Sequence, residues 1–199
     1  TILHMLGLPQ QDPAEIRSKV VLSISTDKAS KGRNPKMNEA FADISNVLSD
    51  AVAMRRRNPA DDLITKLAEA EIDGDALTER EIVLTTAMFV VAGVESLSSF
   101  MSIFAMNMAQ MPDVQDALRQ NPDLMKPAIE ESLRYNTSAQ RFKRQLTRDV
   151  ELHGQHMRKG DHVVLAYGSA NRDERQFPEA DIYDLSRNPR GHLGFGTGK

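Results

Sequence analysis

The sequence predicts a mainly α protein with a minority of small β-sheets, and three observations support this fold class. Apolar residues recur at helical spacing through most of residues 1–136. One of these segments, about residues 78–110, is long enough to be a central helix. After residue 136 the pattern changes to short apolar runs separated by turns, which is typical of short strands. We therefore expect a helical part over 1–136, then short strands and an irregular segment over 137–199.

Composition argues against several classes of function. The 199 residues carry a net charge of −3 and include no cysteine. A slightly acidic chain has no overall field that favours nucleic acid, and without cysteine it forms neither a disulfide nor a thiolate metal site. The longest apolar run, residues 82–94, is shorter than the roughly 20 residues that cross a bilayer. We therefore predict no nucleic-acid partner, no metal ligands, no membrane span and a cytoplasmic protein.

Caps and breakers place the helices of the first part. Asp12 is a suitable N-cap with Pro13 at the first helical position. Residues 27–36 are polar and contain glycine and proline, which indicates a loop. The helices predicted before residue 78 cover about residues 1–6, 13–26, 37–56 and 61–67.

The central helix begins at a capping box, in which Thr78 and Glu81 satisfy each other's backbone amides. No clear breaker follows before Pro112, which gives roughly 33 residues, or about 50 Å at 1.5 Å per residue. The first half of this helix is apolar on all sides, so we expect neighbouring elements to surround it there.

The remaining elements follow in short order. Helices are predicted near residues 112–120 and 122–136, separated by an Asn-Pro pair. Strands are predicted over 141–146, 150–152 and 162–166, with turns between them. The segment 168–199 is rich in Arg, Asp, Pro and Gly, so we expect it to be largely irregular.

Within the central helix, Glu95 and Ser96 place a carboxylate and a hydroxyl directly after a long apolar run. Polar groups in such surroundings need partners or a function, and Gly93 loosens the helix nearby. One interpretation is a proton-delivery pair. The other is a structural carboxylate that pairs with an Arg or Lys of a neighbouring helix.

Two further motifs are common in isolation. Glu131 and Arg134 lie three residues apart on one helix, where an exposed ion pair is ordinary. Arg187 and His192 lie in the irregular segment, where a charged loop would also explain them. Their order along the chain, rather than any one of them, carries the argument.

In that order the motifs resemble those of the cytochrome P-450 superfamily. Residues 92–96 resemble its oxygen-activating motif, and Glu131 and Arg134 resemble its Glu-x-x-Arg helix. Arg187 is placed like the arginine that completes a buried triad with that pair. Phe195 begins a Phe-Gly-x-Gly sequence like the opening of the haem-binding loop. The resemblance implies the middle and later half of a soluble bacterial-type fold of this superfamily, as one partial domain over 1–199.

The resemblance also implies roles for particular residues. Glu95 and Ser96 would be catalytic, delivering protons near bound dioxygen. Arg144 and His192 would contact haem propionates. The cofactor-binding positions implied in this way are Ala92, Gly93, Arg144, His192 and Phe195.

The departures from the family pattern are as informative as the matches. The chain has no cysteine, so we expect the isolated chain neither to form a thiolate-ligated haem protein nor to be active. The resemblance further implies that the N-terminal part of such a domain is not among these residues. An apolar helix face without its usual neighbours favours self-association.

These considerations leave two main functional hypotheses. The first is part of a haem-dependent monooxygenase that hydroxylates a small organic substrate, with a ferredoxin- or flavodoxin-type electron donor for the complete protein. The second is a cysteine-less relative that acts as a binding or scaffold protein without redox activity. A third, an unrelated helical ligand-binding domain, would require the ordered motifs to be a coincidence.

Overall fold

The computed structural model describes residues 2–8, 11–27 and 32–197. It confirms a mainly α fold with small sheets, and it contains two compact units, Thr1–Leu97 and Ser98–Lys199. The helix α5 begins in the first unit and ends in the second. The prediction of a single partial domain stays a prediction.

The α-helices carry most of the described chain. They are α1 Ile2–Met5, α2 Pro13–Ile24, α3 Met37–Arg57, α4 Leu63–Ala68, α5 Glu79–Gln110, α6 Pro112–Gln120, α7 Met125–Tyr135 and α8 Tyr167–Ala170. A short 3-10 helix, Pro122–Leu124, precedes α7. The predicted bounds of the longer helices agree with these to within about two residues, apart from the 122–136 segment, which divides into the 3-10 helix and α7.

Helix starts in the first unit follow the predicted capping chemistry. The Asp12 side chain accepts a hydrogen bond of 2.8 Å from the amide of Ala14 at the start of α2. At the start of α5, the Glu81 carboxylate accepts from the Thr78 amide at 2.8 Å, and the Thr78 hydroxyl accepts from the Glu81 amide at 3.3 Å. These reciprocal bonds satisfy donors that a helix start otherwise leaves unpaired.

A single apolar core holds the first unit together. Residues of α1 to α5 and of the turn after α1 contribute to it, among them Leu6, Val20, Ile44, Val52, Ile64, Ile82 and Val90. Each is almost inaccessible to solvent, and burial of such a side chain contributes about 1.5–3 kcal/mol relative to exposure.

The burial of α5 differs from the prediction. One face of its first half, including Ile82, Ala87 and Val90, lies in the core, whereas Leu84 and Met88 on the other side are exposed. The reason is that the packed elements of the first unit reach one side of this helix. Of the described helices, α5 alone is long and apolar enough to cross a membrane, a criterion that core helices of soluble proteins also meet.

The described sheets are four antiparallel pairs of short strands. The pairs are β1 Thr26–Asp27 with β2 Gly32–Arg33, β3 Glu71–Ile72 with β4 Asp75–Ala76, β5 Phe142–Gln145 with β8 His162–Leu165, and β6 Val150–Leu152 with β7 Gln155–Met157. The sequence predicted β5, β6 and β8 but missed β7 and the two-residue strands. After α8 the described chain has no helix or strand, as predicted for this segment.

Candidate functional site

The best-defined polar site of the second unit is centred on α7. Glu131 and Arg134 are both fully buried and form a bidentate pair, with Nε to Oε2 at 2.8 Å and Nη2 to Oε1 at 2.7 Å. Three residues of separation place both side chains on one face of the helix. A charge that is buried without a partner is very costly, so each group requires the other.

All five N–H donors of Arg134 are used. Besides the two bonds to Glu131, Nη1 donates to the carbonyls of Asn171 at 2.9 Å and Ala180 at 2.8 Å. Nη2 also donates to the carbonyl of Ile182 at 3.2 Å. One helical side chain thereby satisfies three backbone carbonyls of a segment without regular structure.

Arg187 joins the same network from the irregular segment. Its Nε donates to Glu131 Oε1 at 3.1 Å, and Nη1 donates to the carbonyl of Pro178 at 2.7 Å. The amide of Asp184 donates to the same carboxylate oxygen at 3.1 Å. The structure therefore brings Glu131, Arg134 and Arg187 together in one hydrogen-bonded cluster.

Tyr183 provides a second link between this segment and α7. Its hydroxyl donates to the carbonyl of Ala128 at 2.6 Å and lies 2.8 Å from the Ser132 hydroxyl. Burial raises the pKa of Tyr183, against the lowering effect of the Ser132 hydrogen bond. The phenol is thus held neutral over a wide pH range.

Sequence reasoning gave no role to two residues whose side chains hold the segment around His192 in this unit. Asn171 is fully buried, and its Oδ1 accepts from the amide of Leu193 at 2.6 Å while its Nδ2 donates to the carbonyl of Leu133 at 3.4 Å. The other is Glu130, next to Glu131, whose partner is His192. The partners lie 22 to 62 residues away along the chain, so no local pattern reveals them.

His192 lies close to α7 and is nearly buried. Its Nε2 is 3.1 Å from Glu130 Oε2, and its Nδ1 accepts from the amide of Gly194 at 3.0 Å. Both ring nitrogens therefore have partners within the chain. A contact from His192 to a propionate would have to share or replace the Nε2 bond to Glu130.

Arg144 has a different environment. It lies on β5 and is exposed, with cross-strand neighbour Val163. Phe142 and its neighbour Leu165 share the same face of the sheet, because alternate strand residues point to one side. Arg144 forms no ion pair within the described residues. An exposed cation beside an apolar face can pair with an anionic group of a molecule that packs on that face.

The start of the Phe-Gly-x-Gly sequence lies at the end of the described chain. Phe195 is 84% exposed, and its ring centroid lies 6.3 Å from that of His192. Gly196 has φ of +78°, and a Cβ there would lie 3.1 Å from the Tyr167 hydroxyl, so glycine suits the position. The second glycine of the motif, Gly198, lies outside the described residues.

Glu95 and Ser96 lie in the first unit, on α5. The helix continues through Gly93 without interruption, and the Ser96 hydroxyl donates to the carbonyl of Ala92. Glu95 Oε2 is 3.7 Å from Arg17 Nε on α2, and this oxygen is buried without a hydrogen bond among the described residues. A cation from a neighbouring helix thus faces the carboxylate, as the structural interpretation requires, but the carboxylate keeps an unused acceptor.

Gly93 has a packing reason to be glycine. A Cβ there would lie 3.3 Å from Ile2 Cδ1, which is tighter than most such contacts. The residue therefore permits the close approach of α1 to α5. Among the described residues no group of three or more His, Cys, Asp or Glu side chains is arranged to hold a metal ion.

Comparison with known proteins gives a consistent result. A family model described as "Cytochrome P450" matches residues 20–199. The chain is 32% identical over 200 residues to linalool 8-monooxygenase of Pseudomonas putida, with 100% of this chain and 49% of that protein covered. It is 36% identical to the methyl-branched lipid omega-hydroxylase of Mycobacterium tuberculosis, covering 99% and 46% respectively.

Solved structures match over a similar extent. Cytochrome P450 PksS of Bacillus subtilis 168 aligns with a TM-score of 0.87 at 28% identity, covering 99% of this chain and 50% of that one. P450BioI, in complex with an acyl carrier protein ligated to hexadec-9Z-enoic acid, gives 0.85 at 29%, covering 99% and 51%. The chain spans about half the length of the proteins that it matches.

Proposed function

The chain belongs to the cytochrome P450 family, and from this premise we propose that it is part of a haem-dependent monooxygenase. The complete protein would hydroxylate a small organic substrate with dioxygen. The relatives named as monooxygenases support the reaction class. The observation that carries the proposal is the Glu95–Ser96 pair on α5, where a buried carboxylate oxygen has no hydrogen bond among the described residues.

The family implies haem as the cofactor of the complete protein. The described residues fit its periphery: Arg144 offers an unpaired cation beside the apolar side chain of Phe142, which suits a propionate next to a porphyrin edge. The axial thiolate of this family has no candidate here, since the chain has no cysteine. When bound through a thiolate, the haem supplies the activation of dioxygen.

The residues of this chain would handle protons. Glu95 is partly accessible and can exchange a proton with water, and Ser96 follows it at the same end of the apolar run. The Ser96 hydroxyl now donates to the Ala92 carbonyl and still has acceptor capacity for a water molecule. Together they can hold a proton at the carboxylate and pass it along through water and the hydroxyl.

The substrate class and partners follow from the family only in outline. Leu84, Met88 and Val91 of α5 line an open apolar groove of about 430 Å³ with Phe41 of α3, a lining that favours an apolar organic molecule. We further propose a ferredoxin- or flavodoxin-type electron donor for the complete protein. A cytoplasmic location without membrane or nucleic-acid partners completes the proposal.

The isolated chain would behave differently from the complete protein. Its exposed apolar residues on α5 include Leu84, Met88, Leu97 and Met101, and we propose that they drive self-association of the separate chain. Lacking a cysteine, the chain alone would have no monooxygenase activity.

The decisive experiment uses the full-length protein. It should bind haem, and its reduced form should give the carbon monoxide spectrum of a thiolate-ligated haem. Product should then form at the expense of dioxygen and an electron donor. A full-length protein that folds but holds no haem would overturn this proposal and would favour the binding or scaffold function.

A further inference from the structure

The hydrogen bonds of His192 define the protonation of its ring. The amide of Gly194 donates to Nδ1 at 3.0 Å, so Nδ1 is an acceptor and carries no proton. In the neutral imidazole the proton is then on Nε2, which lies 3.1 Å from Glu130 Oε2 and donates to it. A chain of hydrogen bonds therefore runs from the Gly194 amide through the imidazole to a carboxylate on α7.

The space around Gly194 shows how closely this turn is packed. A Cβ at position 194 would lie 2.9 Å from His192 Nδ1 and 3.0 Å from the carbonyl oxygen of Leu133 on α7. Any larger residue would push the imidazole away or lift the turn off the helix. The absence of a side chain here is thus a condition of the His192 geometry.

Two other contacts hold the same turn. The amide of Leu193 donates to Asn171 Oδ1 at 2.6 Å, and the Thr137 hydroxyl donates to the carbonyl of Gly194 at 3.4 Å. Neither contact involves α7 side chains. Among the described residues, the hydrogen bond from His192 Nε2 to Glu130 is the one that joins a side chain of this turn to a side chain of α7.

We propose that Glu130 is a positioning residue, which fixes the Nε2–H form of His192 and thereby holds the turn over residues 191–196 against α7. The positioning role itself is independent of the proposed function. Its importance for haem binding rests on that function, in which the turn leads into the haem-binding loop. Arg144, whose side chain has no ion pair among the described residues, then remains the group available for an anionic substituent of the cofactor.

The role assigned to Glu130 is hydrogen-bond acceptance, and this distinguishes it from a general electrostatic effect. Glutamine at this position keeps a carbonyl oxygen that accepts from Nε2–H, whereas alanine does not. Alanine is at least as good a helix former as glutamate, so loss of the side chain does not weaken α7 itself. The two substitutions therefore separate the contact from the fold.

The experiment is amide hydrogen exchange of the full-length protein, read on peptides that cover residues 191–196. Glu130→Ala should speed exchange of the Gly194 amide about tenfold, because opening of the turn no longer breaks the hydrogen bond between His192 and residue 130. Glu130→Gln should restore exchange to within about twofold of the wild type. Glu174→Ala, which removes an exposed carboxylate of the same unit, should leave it unchanged.

Unchanged exchange in Glu130→Ala would overturn the proposal, and so would a Glu130→Gln variant that exchanges as fast as Glu130→Ala. Peptides from α3 in the first unit serve as a reference, because faster exchange there as well would show general unfolding instead of local release. In that case the chemical shifts of the His192 ring nitrogens in the wild type decide which nitrogen carries the proton. A protonated Nε2 in the wild type supports the proposal, and a protonated Nδ1 overturns it. These readouts do not depend on monooxygenase activity, so they are separate from the test of the proposed function.

Discussion

The guanidinium of Arg172 stacks on the ring of Tyr135, with its central carbon 4.1 Å from the ring centroid. The same group donates two hydrogen bonds to the carbonyl of Tyr135, from Nε at 3.1 Å and from Nη2 at 2.9 Å. Its remaining nitrogen pairs with Asp181 at 2.5 Å. This arrangement closes the C-terminal end of α7, where helix carbonyls lack intrahelical partners.

Arg172→Lys should destabilise the full-length protein although it keeps the charge. An ammonium cannot both stack and donate in a fixed fork, so we expect a loss of about 1–2 kcal/mol in the free energy of unfolding. Denaturant titration measures it. The matched control is Arg158→Lys, which should have almost no effect, because Arg158 is exposed and its side chain forms no hydrogen bond or ion pair among the described residues; equal effects of the two changes would contradict the role given to the stacking.

Arg134→Ala should be far more harmful, because it leaves the buried carboxylate of Glu131 without its main partner. We expect a cost of about 3–5 kcal/mol. Asp116 and Arg119 on α6 have the same spacing as Glu131 and Arg134 but are exposed, so Arg119→Ala should cost less than about 1 kcal/mol. Thermal or denaturant unfolding of the two variants would show similar stabilities if burial did not govern the effect.

The acid stability of the first unit should depend on Asp62. Burial raises the pKa of its carboxyl, but hydrogen bonds from the Thr65 amide and from Arg55 outweigh this effect and hold the pKa below 3.8. A folded-state pKa below the unfolded value adds stability above the unfolded pKa, and this stability is lost as pH falls through the folded pKa.

We therefore expect Asp62→Asn to be most destabilising near neutral pH and to approach the wild type as pH falls below 3.8. Unfolding measured by circular dichroism across this range tests the expectation. The control is Asp61→Asn, since Asp61 is 94% exposed and its loss should have a small effect at every pH. If the difference in unfolding free energy between the wild type and Asp62→Asn is the same below pH 3.8 as at neutral pH, the Asp62 charge is not involved.

Glu95→Gln and Ser96→Ala should lower product formation per electron consumed in the full-length protein. General acid–base groups typically contribute about 10²–10⁴-fold to rate. We therefore expect the rate of product formation to fall by that order as well, with substrate binding retained. Arg17→Ala separates the two interpretations of the site, because it removes the cation 3.7 Å from Glu95 and leaves the acid in place. The carboxylate is structural if both variants lower the free energy of unfolding and Glu95→Gln leaves product formation per electron unchanged.

The elements that sequence could predict are those that local chemistry decides. The side chains of Asp12, Thr78 and Glu81 accept hydrogen bonds from amides no more than three residues away. The starts of α2 and α5 could therefore be predicted from the sequence. The strand Gln155–Met157 was missed because a polar three-residue segment carries no alternation, and its pairing with Val150–Leu152 depends on the turn between them.

The candidate site divides along the same line. Glu131, Arg134 and Arg187 were placed together by resemblance to a family, since a separation of 56 residues between Glu131 and Arg187 has no local signal. The pairing of His192 with Glu130, across 62 residues, was not foreseen for the same reason. Burial around α5 was overestimated, because an apolar surface shows that a helix needs neighbours and not which ones are present.

The saturation of Arg134 has a consequence for the order in which the second unit assembles. Three carbonyls of residues 171–182 find their donors on a helix and not in their own backbone neighbourhood. Ordering of that stretch in this arrangement requires α7, so we predict that α7 forms before the irregular segment docks on it. Contacts that form after the transition state govern how fast a protein opens and hardly affect how fast it folds. We therefore predict that loss of the Arg134 guanidinium would mainly speed the unfolding of this unit and would change its folding rate little.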